Sequence, residues 1–147
     1  MIDTCIDAEF GEMKYKHKWF KEQSISLFGK KWNIIISAMS YLGKPINEAE
    51  RQAYRKYMEN ESDYSYTIAE QLKMYINNNL YNISEYWAEA HKIEKPSDLV
   101  KVVIPRSLVF QQDGTTIMML DCIWDSEHGI AVEVIPEVKT GSQDYFL

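Results

Sequence analysis

Leu108-Val109-Phe110-Gln111-Gln112-Asp113-Gly114-Thr115-Thr116-Ile117-Met118-Met119-Leu120 reads as two strands around a turn. Asp-Gly is a strong hairpin signal, because both residues tolerate the positive φ that tight reversals require. The partner strand, Thr115 to Trp124, divides by parity. Met118, Leu120, Cys122 and Trp124 fall on one face; Ile117, Met119, Asp121 and Ile123 fall on the other. Ile130 to Ile135 returns as another strand, with Ile130, Val132 and Val134 together, and Pro136 ends it.

Upstream, Met13, Tyr15, His17 and Trp19 alternate with Lys14, Lys16 and Lys18, the period of a half-buried strand. A second strand is expected at Ser24 to Phe28, with Ile25 and Leu27 inward, then a turn at Gly29 and a third strand from Trp32 to Met39. Between the two strand-rich ends lies a helical stretch. Asn47 and Glu50 have capping-box spacing, predicting a helix to about Glu59 with Ala49, Ala53, Tyr57 and Met58 inward. Asn60 to Ser65 reads as a polar break. Thr67 and Glu70 repeat the spacing, and Ile68, Leu72, Tyr75 and Ile76 form a helical stripe. Asn82 to Lys92 reads as helical again, so the segment after Thr67 is one long helix or two.

The expected fold is therefore α+β in one domain over 1–147: an antiparallel sheet from N-terminal strands (about 12–40) and C-terminal strands (about 100–146), with two or three helices (about 47–93) between.

Charge narrows the partners. The formal charge is −6, which argues against nucleic acid. From Glu12 to Lys31 six lysines face two glutamates, whereas from Asp113 onward seven acids face Lys139 alone. The ends either complement one another or make a bipolar surface. Two cysteines without motif spacing, an early acid at Asp3 and no apolar span predict a reduced, cytoplasmic protein with no membrane partner. Ten tyrosines and four tryptophans suit both a core and a recognition surface.

Chemistry concentrates at Asp121-Cys122-Ile123-Trp124-Asp125-Ser126-Glu127-His128-Gly129. Asp121, Asp125 and Glu127 beside His128 are the residues for acid–base or metal work, although a three-ligand site needs His17 or His91 brought close. Asp121 interrupts the Met119–Ile123 face and would need a partner if buried, with the basic N-terminal strands as donors. Cys122 reads as core. Trp124 is a core lid or a recognition anchor, and the whole run also fits a polar hairpin turn. No phosphate loop, serine elbow or cofactor motif stands out.

The Trp124-x-x-Glu127-His128-Gly129 stretch, with Val132 and Gly141-Ser142-Gln143-Asp144 after it, resembles an uncharacterised bacterial family of small domains of unknown function. Leu27-Phe28-Gly29-Lys30 and the Gln52-Ala53-Tyr54 region extend the resemblance over most of the chain. Such domains look similar in size and style to immunity proteins of toxin systems: compact, acidic, cytosolic and non-enzymatic. The family carries no activity over; acidity, aromatic richness and the lack of a complete catalytic set point to a protein-binding module without cofactor, immunity-like by analogy, with Trp124 as anchor and Asp125, Glu127 and His128 as polar recognition groups. The alternatives are a small hydrolase or metal-dependent protein using His128 with Asp121, Asp125 or Glu127, and a homo-oligomer joined through exposed strands.

Overall fold

A computed structural model describes residues 3–146. Its strands are β1 (Asp3–Asp7), β2 (Gly11–Tyr15), β3 (Trp19–Leu27), β4 (Lys30–Ala38), β5 (Val103–Phe110), β6 (Thr116–Cys122), β7 (Ile130–Ile135) and β8 (Lys139–Ser142). Helices α1 (Glu48–Glu59), α2 (Glu61–Asn78) and the short α3 (Leu80–Ile83) lie between β4 and β5, and 3-10 turns occupy Pro96–Leu99 and Gln143–Tyr145.

The eight strands form one sheet in sequence order. All neighbours are antiparallel except β4 and β5, which run parallel with Ile36 opposite Leu108. This corrects the expected antiparallel sheet with helices set between two strand groups. Strands dominate, the sheet is mixed, and the helical stretch is the crossover of a parallel pair. Parallel neighbours need a long connection that returns the chain to the starting end, and the segment from Met39 to Val102 supplies it.

The N-terminal meander has four strands where three were expected. The alternation from Met13 to Trp19 is real but spans a hairpin. His17 (φ 68°) turns the chain and Trp19 begins β3 opposite Tyr15. An even number of residues between Tyr15 and Trp19 would have broken the pattern; the three actually present preserve it, so the turn was hidden. At the next hairpin Phe28 and Gly29 both take positive φ, the two-residue reversal that suits twisted strands.

The helices depart from expectation in three places. Asn47 and Glu50 do close a capping box on α1, but its buried face is Glu50, Ala53, Tyr54 and Tyr57, and Ala49 is exposed. The polar break shrinks to Asn60 alone: α2 starts at Glu61 and runs through Thr67, whose capping spacing goes unused. Helix ends at Ile83, and the chain to Lys92 is turns and irregular backbone.

Helix α2 touches β3 as well as β7 and β8. Four strand spacings separate β3 from β7, roughly 19 Å along a flat sheet, whereas a helix is about 10–12 Å across. The sheet therefore curls around α2. The enclosed face carries the large core, including Ile34, Ile36, Tyr57, Leu72, Met118 and Val132. A small cluster of Val109, Ile117, Met119 and Ala131 lies on the opposite face under Met39 and Phe146. Among the described residues no helix is long and apolar enough to cross a membrane.

Candidate functional site

The connection from β6 to β7 is built around Asp125. Its Oδ1 accepts the backbone N–H of His128 at 3.0 Å, and its carbonyl accepts that of Gly129 at 2.9 Å. A carboxylate that folds back on a following N–H closes a turn locally. Gly129 completes the reversal at φ 68°, and there is no room for a side chain: a Cβ would lie 2.6 Å from the Leu120 carbonyl and against the Gln143 amide. Gln143 reaches this point from the C-terminal 3-10 turn and donates to Leu120 O at 2.8 Å. The C-terminal segment thus holds the turn from beneath.

Above the turn, Trp124 stacks on Tyr75 of α2, with ring centroids 6.4 Å apart at 25°. The two rings form one wall of an open groove of about 680 Å³ between the turn and the end of the helical segment. Tyr86, Ile83, Asn79 and Asn82 line the helical side; Asp125, Ser126, Glu127 and His128 line the other. A second groove shares Tyr75 and Asn79 and continues along β8 past Met74, Val138 and Tyr145.

Four of the residues singled out by sequence, Trp124, Asp125, Glu127 and His128, therefore share one groove. Asp121 does not. Its side chain is exposed on the other face, where Oδ2 meets Arg106 Nε at 2.6 Å. Arg106 is the extra residue of a β-bulge between Pro105 and Ser107, and a bulge of this kind re-aims a side chain. The expected need for a lysine from the N-terminal strands does not arise, because Asp121 is neither buried nor near them in the sheet order.

The electrostatics of the groove centre on His128. Both Asp125 oxygens lie 3.2 Å from Nδ1, and this contact, with the charges of Asp125, Asp144 and Glu127, raises the imidazole pKa. Cys122 sits behind the turn with Sγ 3.5 Å from the Asp125 carbonyl, and burial pushes its thiol up to about 11, so it is protonated and poorly nucleophilic. His17 lies in the β2–β3 turn and His91 packs against Trp87, so neither joins His128. Among the described residues no three His, Cys, Asp or Glu side chains are grouped to hold a metal ion. The His128–Asp125 pair has the geometry of an oriented base, but its imidazole contacts no hydroxyl or thiol that it could activate among the described residues.

Sequence reasoning missed the helical wall. Tyr75 was counted in the buried stripe of α2, yet it stands at the stripe's edge and is half-buried. Tyr86 was placed in a helix and is instead exposed on irregular backbone after α3. The available signal was the Asn77-Asn78-Asn79 run, which ends α2 where the groove begins.

No curated protein and no solved structure matches the chain. A family model described as "Domain of unknown function (DUF6985)" matches residues 9–147, which takes in every groove residue and leaves out residues 1–8, among them β1. The chain belongs to that family, a domain of unknown function.

Proposed function

We propose that the protein is a non-enzymatic module that binds another protein through the Trp124 groove. The observation that carries this reading is the stacked Trp124–Tyr75 pair at the wall of an open groove whose rim bears Asp125, Glu127 and His128. Interface energy concentrates in aromatic anchors surrounded by polar groups that set orientation and partner choice. Tyr86 and Tyr145, 73% and 77% exposed, extend the aromatic surface on either side. The acidity of the chain and the resemblance noted from its sequence support an immunity-like role in a bacterial cytoplasm.

The test is co-purification from cells that natively express the protein. Wild type should retain a stoichiometric protein partner. Trp124→Ala and Tyr86→Ser should lose it, while Tyr66→Ser, an exposed tyrosine on α2 outside both grooves, should keep it. Equal recovery with all variants would remove the groove from the interface.

A further inference from the structure

We propose that the Trp124 groove receives an arginine side chain from a basic segment of the partner. This rests on the binding-module reading and specifies the partner's chemistry.

The groove is stocked for a planar cation. Trp124 and Tyr75 present stacked faces, and Tyr86 stands on the helical side. A guanidinium is attracted to an indole or phenol face within about 6 Å of its centroid, and its flat, weakly hydrated shape stacks where an ammonium does not. The polar groups around the rings mostly accept hydrogen bonds. Asp125 and Glu127 line one side. Glu127 belongs to none of the ion pairs among the described residues, so its carboxylate is open to an incoming cation. Asn79 turns its side-chain NH2 back to the Tyr75 carbonyl at 2.7 Å, and its amide oxygen makes no hydrogen bond among the described residues, so it can accept from a ligand. A guanidinium carries five donors and no acceptor.

Charge complementarity points the same way. No lysine or arginine lines this groove, and the chain from Asp113 onward has seven acids against one lysine. The adjoining groove shares Tyr75 and Asn79 but includes Lys139, so a cation is directed to the Trp124 side. His128 is the one basic side chain at the rim, and its Nδ1 faces Asp125. That leaves Glu127 as the principal counter-charge.

The experiment uses 15N-labelled full-length protein and a capped heptapeptide of glycine and serine with one central arginine. The readout is the Trp124 indole N–H resonance, assigned with Trp124→Phe. The arginine peptide should shift it saturably. The same peptide with neutral, isosteric citrulline should bind about tenfold more weakly, because the cation–π and carboxylate contacts are both lost. Glu127→Gln, an exposed substitution that leaves the turn's hydrogen bonds intact, should weaken the arginine peptide about threefold without changing the citrulline one. Equal binding of the two peptides, or no shift at Trp124, overturns the arginine assignment. If the arginine peptide is silent while Trp124→Ala still releases a native partner, the binding module stands and only its arginine chemistry falls. If the arginine peptide binds as described and no protein co-purifies, the groove's chemistry stands and the protein-partner reading falls.

Discussion

Both oxygens of Asp125 lie 3.2 Å from Nδ1 of His128, and one of them also accepts the backbone N–H of His128 at 3.0 Å. One carboxylate therefore shapes the turn and sets the charge of the imidazole at the groove rim.

Replacing Asp125 should separate these effects. The Asp125 hydrogen bond, followed by the charges of Asp125, Asp144 and Glu127, raises the pKa of His128. Because the folded pKa is raised, the stabilisation from this contact is complete below the unfolded imidazole's pKa. It is lost as pH rises through the folded value. In Asp125→Asn the His128 pKa should fall toward the ordinary value while the backbone hydrogen bond survives through the amide oxygen. An NMR titration of the His128 Cε1–H reads the shift; an unchanged pKa would mean that Asp125 is not the controlling charge.

Glu50 should make stability depend on pH near neutrality. Its Oε1 accepts the Asn47 N–H at 3.1 Å, but Oε2 is buried without a partner, and burial pushes the carboxyl up to about 7. An acid whose folded pKa is raised favours the folded state fully below its unfolded pKa, and that advantage disappears as pH climbs to the folded value. Wild type should lose on the order of 2–3 kcal/mol from this group between about pH 4.5 and pH 8. Glu50→Gln keeps an oxygen for the cap and removes the charge, so its denaturant midpoint should vary much less over that range.

Asp7 and Arg51 pin the first strand to α1. Arg51 Nε meets Asp7 Oδ1 at 2.7 Å, and Asp7 Oδ2 accepts the N–H groups of Glu9 and Phe10 at 3.0 and 3.1 Å. Burial pulls the Asp7 pKa upward, but Arg51 and the two backbone donors outweigh it and hold the carboxyl below its usual range. This stabilisation is present above the unfolded pKa and lost as pH falls through the folded one. Asp7→Ala should cost about 2 kcal/mol in urea denaturation at pH 7, since it removes the partner of Arg51 Nε and of two backbone N–H groups, that of Phe10 buried, while Arg51 keeps Glu48 and the Ile46 carbonyl. Arg51→Met should cost less, because the carboxylate keeps both backbone N–H groups.

Gly129→Ala should destabilise by about 2 kcal/mol or more, combining a positive φ with a steric overlap. Part of the overlap is with the Gln143 amide and part with the Leu120 carbonyl. Adding Gln143→Ala should therefore recover only a fraction of the loss, and a double-mutant cycle on thermal midpoints should show a coupling. Strict additivity would place the clash elsewhere.

What could be read from the sequence was local. Strand parity placed Met118, Leu120 and Cys122 in the core and Ile117 and Met119 on the other face, because side-chain alternation is a property of the strand itself. Asn47 and Glu50 likewise gave up the start of α1, since a capping box is closed within four residues. The direction of β5 relative to β4 was not legible, because it depends on where a long crossover delivers the chain. The groove was half legible for the same reason. Trp124 to His128 declare themselves by composition, but Tyr75, Asn79 and Tyr86 join them only once α2 is laid inside the curled sheet. Arg106 was invisible as the partner of Asp121: the bulge flips the core-facing parity of β5 from Val103 before it to Leu108 and Phe110 after it, but which residue of the opposite strand then lies within reach depends on pairing that no local pattern gives.

The single parallel pairing has a consequence for how the chain assembles. Strands β1 to β4 form a meander of sequence neighbours, and so do β5 to β8. Each can zip up through short turns at little loop-closure cost. The register of Ile35 with Ser107 and of Ala38 with Phe110 joins residues on opposite sides of the whole helical stretch. Closing so long a loop costs more entropy than zipping either meander, so this pairing is expected to form late, and hydrogen exchange during refolding should show β4 and β5 protected after the outer hairpins. The join at the centre of the sheet should therefore be the last one made.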